Sequence, residues 1–351
     1  MSDRVLGWDI GGAHLKLAIA EASGIAATLQ VPCALWQGLD VLRQAIRSAL
    51  ADLPPADRHA VTMTGELADL FPDRTRGVAG ILDVLAEFVP AERVAIYTTD
   101  GEFIGANQAR AEPATVASAN WHATARHLAG ALSDGLLLDI GSTTTDIVPV
   151  IAGGIAARGL TDGERLATGE LLYTGIVRTP LAAIARFAPF DGRMVGVMAE
   201  LFATAADAQR LAGTLPDGAD LHPAADGRGK TVEESRARLA RMIGRDASDA
   251  SEESWRRLAE FFVGAQMRQI EEAVELVLSG STLPDAAPII GAGSGRYLAA
   301  ELARRVSRRY LAFDETVRRT GATLAAAPAD LAPAVSVALL LQYLPSLKTE
   351  S

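Results

Sequence analysis

Apolar and polar positions change character early in the chain. Val5-Leu6-Gly7-Trp8 is extended and apolar, Asp9-Ile10-Gly11-Gly12 carries turn residues, and His14 to Ala20 returns with partial alternation, so residues 5–20 predict a β-hairpin. Helical spacing follows: Leu39, Leu42, Ile46 and Leu50 share a face, and Pro54-Pro55 ends the run. Residues 60–63 read as a strand, 77–89 as a helix, 94–98 as a strand and 114–132 as a helix. Leu136 then opens a second hairpin in LLLDIGSTTTDIVPV, with an apolar strand, Asp139-Ile140-Gly141, a hydroxyl-rich turn and another apolar strand.

The two hairpins share one plan about 130 residues apart, which predicts two similar halves facing each other across a cleft. Residues 189–250, with Pro216-Asp217-Gly218, His222-Pro223 and Asp226-Gly227-Arg228-Gly229, read as an inserted loop region. A long amphipathic helix is expected over 251–278. Pro288-Ile289-Ile290 then feeds Gly291-Ala292-Gly293-Ser294-Gly295 and a further helix, an order that offers helix N–H groups to an anion. The domains expected are 1–133, 134–330 and a C-terminal helix, 331–351, packed back on the first.

Composition narrows the function. The 351 residues are too many for one small core and suggest two domains. A net charge of −10 offers no basic field to nucleic acid, yet leaves room for a local anion site. The single cysteine, Cys33, excludes an internal disulfide and a cysteine-cluster metal site, in keeping with a cytoplasmic protein, and reads as a buried apolar side chain. No export signal is legible at the start, and the apolar run 334–344 is too short to span a bilayer, so no membrane partner is expected. A homo-oligomer is compatible with the sequence.

The chemistry lies in three glycine-rich turns. Glycine lets the backbone approach a ligand, successive N–H groups make an anion-binding concavity, and hydroxyls add donors. Gly11, Gly12, Ala13 and His14 form the first candidate cradle; Gly141, Ser142, Thr143, Thr144 and Thr145 form the second; Gly291, Ala292, Gly293 and Ser294 form the third. Asp9, Asp139 and Asp146 beside them are candidate ligands of Mg²⁺, directly or through its waters. Lys16 is placed either to reach a phosphate or to lie on a solvated strand face, and His14 more as a neighbour than an actor. Glu66 in TGELAD is placed as a base or binding group, or as an acid favoured at a helix start. Arg178 suits a diphosphate or a carboxylate. Asn120-Trp121 reads either as part of an aromatic acceptor pocket or as core, and Asp226 and Lys230 as a cap or a surface turn.

DIGGAHLK (9–16), DIGSTTTD (139–146) and GAGSG (291–295) resemble the two phosphate hairpins and the adenosine-side turn of the actin, hexokinase and 70-kDa heat-shock chaperone superfamily. More narrowly, the chain is similar to its hydantoinase/oxoprolinase-related branch. Within that branch it resembles the methanofuran-pathway family that makes an aminomethylfuran aryl ether. WDIGGAHLK, MTGELADLF, EPATVASANW, DIGSTTTDIVP, TDGERLATGELLYTGIVRTPL and ADGRGKTVEESRARLARMIGRD carry this likeness over nearly the whole chain. It implies an α/β, two-lobed, RNase-H-like fold with mixed five-stranded sheets and a central cleft. It also implies a transferase that condenses a furanmethyl diphosphate with the phenol of a glutamyl-tyramine, or of a tyrosine in bacterial relatives, releasing pyrophosphate. Asp9, Asp139, Glu66 and Lys16 are then the expected catalytic groups, with Mg²⁺ as cofactor and ATP or ADP not required. An ATP-dependent small-molecule kinase or hydantoinase/oxoprolinase-like enzyme is the alternative expectation, and a scaffold with no chemistry of its own the third.

Overall fold

A computed structural model describes residues 3–320 and 324–343. β1 (Val5–Ile10) and β2 (His14–Glu21) form the expected first hairpin, and β3 (Gly24–Pro32) extends it antiparallel. After α1 (Leu39–Asp52), β4 (Arg58–Met63) returns parallel to β1. α2 (Arg74–Ala86) starts where Asp73 caps it, the carboxylate accepting the Arg76 N–H at 2.8 Å. β5 (Val94–Tyr97) pairs parallel to β4. β6 (Phe103–Ile104) folds back on it through a turn closed by Thr98 N–H donating to Glu102 O.

The helix expected over 114–132 is broken. α3 (Ala106–Ala111) and α4 (Pro113–Val116) are short, and α5 (Asn120–Ala131) begins afresh. The break has a cause: Ala117 makes a parallel bridge to Met63, and Ser118 follows with φ 53°.

β7 (Gly135–Ile140) and β8 (Thr145–Ile151) make the second hairpin, and β9 (Gly154–Ile155) pairs with β8. α6 (Asp162–Thr168) and β10 (Leu171–Leu172) lead to α7 (Leu181–Ile184). The region read as a loop insert is folded: β11 (Phe187–Phe190) and β12 (Arg193–Gly196) form a ribbon, followed by α8 (Ala205–Ala212) and α9 (Val232–Met242). α9 starts in a capping box between Thr231 and Glu234. α10 (Glu252–Ser279), β13 (Ile289–Ala292), α11 (Arg296–Arg305), β14 (Tyr310–Ala312) and α12 (Ala332–Tyr343) complete the chain.

The first sheet runs β3-β2-β1-β4-β5-β6; the second runs β10-β8-β7-β13-β14 with β9 paired to β8. Each has six strands rather than the five expected, because β6 and β9 add short antiparallel edges.

Chain contacts divide the molecule into two compact units, one of residues 1–135, 148–162 and 311–351, the other of 136–147 and 163–310. In the first, Trp8, Ile10, Leu15, Leu17, Val61, Met63 and Ile81 share a buried core. α12 lies on β1 within this unit, and the close approach requires glycine: a Cβ on Gly7 would sit 2.0 Å from Ala334 O. Residues 344–351 of the expected C-terminal element lie outside the described residues. In the second unit α10 packs on α8 and α9 over a core that includes Phe190, Trp255, Leu258 and Phe262. Phe190 and Trp255 stack with centroids 4.7 Å apart.

Candidate functional site

In the first unit, β1 and β4 run parallel, so their carboxyl ends lie at one rim, where open α/β sheets place ligands. Asp9 sits one residue from the end of β1, buried, in register between Lys16 on β2 and Thr62 on β4. The Thr62 hydroxyl is buried with no hydrogen-bond partner. Gly11 N–H donates to His14 O at 3.0 Å and closes the turn. Cys33 N–H and Leu35 N–H donate to the Ala13 and Gly12 carbonyls. Lys16 is half-buried on its strand and His14 is buried at the start of β2. Cys33 is buried, and desolvation pushes its thiol up to about 11, so it is inert as a nucleophile.

Past β4, Thr64 N–H donates to Ile10 O and a 3₁₀ turn, Gly65–Leu67, carries Glu66 inward. Glu66 is 1% exposed. Its Oε1 accepts a hydrogen bond from Ser118 Oγ at 3.0 Å, while Oε2 is buried with no partner. The same Ser118 hydroxyl lies 3.1 Å from Asp162 Oδ2, which Arg74 Nη2 also reaches at 2.6 Å. Burial pushes the Glu66 carboxyl up to about 7; Asp162 adds to this, and the Ser118 hydroxyl and Arg74 oppose it. A carboxyl near neutrality with one oxygen unmatched is suited to take a proton. Ser118, Asp162 and Arg74 were not singled out from the sequence. The signals were a serine between two helical runs and the Thr161-Asp162-Gly163 turn, both weak alone. Asn120 heads α5, half-buried, and Trp121 is 2% exposed, a core residue.

In the second unit, Gly141 N–H donates to Thr144 O at 2.8 Å and closes the STTT turn. The amides of Ile176, Val177 and Arg178 donate to the Gly141 and Ser142 carbonyls, so the segment after Gly175 clamps the turn's carbonyl side. Ser142, Thr143 and Thr144 are half-buried; the Ser142 and Thr143 hydroxyls lie 3.4 Å apart. Thr145 is buried and its hydroxyl donates to Thr174 O at 2.7 Å. Arg178 is exposed.

The glycine turn after β13 comes to the same place. Ala292 is in register with Asp139, and Gly295 N–H donates to Ile140 O at 2.8 Å. Gly293 has φ 78°, and a Cβ there would lie 2.2 Å from Ile140 O and 2.5 Å from Asp139 Oδ1. Ala292 and Gly293 are thus drawn onto Asp139, with Gly291 and Ser294 next to them in the chain. Asp146, one strand away on β8, has its Oδ1 2.8 Å from Arg165 Nη1, and Arg165, 1% exposed, also donates to Glu170 O. Arg165 too went unread in the sequence, although a carboxylate on an apolar strand calls for such a partner. Asp226 accepts from buried Arg238 at 3.1 Å, and Lys230 pairs with Asp220, so both hold the folded insert together.

Among the described residues no three His, Cys, Asp or Glu side chains gather as a metal cage. Single carboxylates beside glycine turns fit Mg²⁺ that arrives on a phosphate and keeps most of its waters. No helix among the described residues is long and apolar enough to cross a membrane.

Comparison with known proteins gives the geometry its context. The hydantoinase/oxoprolinase family profile matches residues 57–332. A (4-{4-[2-(γ-L-glutamylamino)ethyl]phenoxymethyl}furan-2-yl)methanamine synthase of Methanocaldococcus jannaschii is 29% identical over 286 residues, 81% of this chain and 85% of that one. The synthase of the same name from Methanococcus vannielii is 34% identical over 116 residues, 33% of this chain and 52% of the relative. Among solved structures, nucleotide-free acetone carboxylase aligns over 96% of this chain and 70% of its own, with a TM-score of 0.55 at 10% identity. The fold is of the actin/hexokinase-like type, mixed α/β. With the match covering most of its length, the chain belongs to the hydantoinase/oxoprolinase family.

Proposed function

We propose that this protein is a transferase of methanofuran or methylofuran assembly. It joins a furanmethyl diphosphate to the phenol of a glutamyl-tyramine or a tyrosine, forming an aryl ether and releasing pyrophosphate. The observation that carries this reading is the likeness to the Methanocaldococcus jannaschii synthase over 81% of the chain. That enzyme is named for a product in which a phenol oxygen is joined through a methylene to a furan.

The residues supply parts this reaction needs. In the second unit, the backbone and hydroxyls of Gly141, Ser142, Thr143 and Thr144, with Gly291 to Ser294, would bind the diphosphate, and Arg178 would add a cation. Asp139 there would hold Mg²⁺ through its waters, and Asp9 is a candidate for the same role within the first unit; when bound, such an ion neutralises charge on a departing diphosphate. Asp146, matched by Arg165, would anchor the outgoing strand. In the first unit, Lys16 is a candidate cation for the substrate and Asn120 a candidate acceptor contact. Glu66 would take the phenol proton on Oε2. The carbon–oxygen bond to diphosphate breaks with its electron pair leaving on pyrophosphate, and the phenol oxygen bonds to the furanmethyl carbon. The furan ring bears the positive character that develops there, so the acceptor needs placement and a base more than a strong nucleophile.

Incubation with furanmethyl diphosphate, Mg²⁺ and each acceptor tests this. Ether and free pyrophosphate are expected. Phosphoryl transfer from ATP with no ether from any acceptor would replace this reading with a kinase.

A further inference from the structure

The Ser118 hydroxyl has one proton and two carboxylates within reach, Glu66 Oε1 at 3.0 Å and Asp162 Oδ2 at 3.1 Å. It can donate to only one at a time. The backbone that aims it is unfavourable: Ser118 has φ 53°, in the region glycine adopts without strain, yet a serine stands there. The Ala117–Met63 bridge fixes this residue beside the end of β4, where Glu66 follows. Asp162 has a second donor in Arg74, whereas Oε2 of Glu66 is buried without one. The two carboxyls are therefore unequally supported, and the Ser118 hydroxyl lies within hydrogen-bond reach of both.

We propose that Ser118 is a positioning residue for Glu66, a hydroxyl rotor that donates to Glu66 while it is ionised and turns to Asp162 once Glu66 has taken a proton on Oε2. This rests on the proposed role of Glu66 as proton acceptor. One O–H bond breaks on the acceptor substrate and one forms on Oε2; Ser118 keeps its own proton throughout and only changes partner. Asp162, held by Arg74 at 2.6 Å, receives the rotated hydroxyl. Asp162 and Arg74 are the charged groups that act on Glu66 among the described residues. Asp162 opens α6, Arg74 opens α2, and α2, which packs on the Glu66 turn, presents Gly77 to its backbone. The α4–α5 junction supplies the Ser118 hydroxyl.

Ser118→Gly separates this from a structural role, since glycine removes the hydroxyl and the strain together. The variant should melt at the same temperature as the parent or higher. The acid limb of its kcat/KM profile, and the Glu66 titration followed by the carboxyl infrared band, should both move up by about one pH unit, the size set by a lost hydrogen bond to a charged group. Ser118→Thr should restore most of the shift. An unmoved Glu66 titration in a well-folded Ser118→Gly protein overturns the proposal. The infrared titration needs no turnover, so absence of ether product in the parent would count against the proposed reaction and leave Ser118 judged separately.

Discussion

Glu66 is the residue on which the proposed chemistry turns, because its burial leaves one carboxylate oxygen without a donor. Two consequences are linked. As a base it must be ionised, so the rate of ether formation should rise with pH through about 7, and Glu66→Gln should lower it by roughly 10²–10⁴-fold. As a buried acid it holds its proton more tightly folded than unfolded. Its stabilising contribution is therefore full below about pH 4.5 and is lost as pH rises to about 7. Urea melts should show Glu66→Gln gaining up to about 3 kcal/mol over the parent at pH 8 and little at pH 4. An advantage of equal size at both values would contradict the burial account. Arg165 presents the opposite case. Arg165→Met removes the buried guanidinium that pairs with Asp146 at 2.8 Å and should cost about 3–5 kcal/mol in the same melts. A loss below about 1 kcal/mol would show that the pair carries little. Residue types made Asp9, Asp139 and Glu66 legible beforehand, since an acid beside a glycine turn is visible in one dimension. Ser118, Asp162 and Arg165 were not legible, because each acts through partners 19 to 88 positions away.

Among elements, the two hairpins, the long α10 and the strand–glycine–helix unit at β13 followed directly from periodicity and turn residues. β3 went unread because Gly24 to Pro32 mixes apolar and polar positions without strict alternation. The broken helix at 117–119 went unread because a bridge to Met63, remote in sequence, overrides helical spacing. The insert was read as loop from its prolines and glycines; buried Arg238, between Asp207 and Asp226, shows how a polar core orders it. Gly7 lets α12 lie close against β1. Gly7→Val should force the helix off the strand, cost at least about 1–3 kcal/mol and expose α12 to limited proteolysis. Cleavage and melts identical to the parent would contradict that packing.

For the molecule as a whole, the fold and the family follow from matches that span most of the chain. A phosphate grip alone does not separate a nucleotide from a furan diphosphate; the proposed reading of a furan diphosphate rests on the resemblance carried by segments outside the turns, such as TGELADLF and SANW, which bring Ser118 to Glu66. The most direct measurement is paired quantification in one reaction, using an acceptor whose phenol oxygen is ¹⁸O, with furanmethyl diphosphate and Mg²⁺. The account predicts ether and pyrophosphate in equal amounts, with the label retained in the ether bridge. No ether and no pyrophosphate with either the tyramine or the tyrosine acceptor would contradict it.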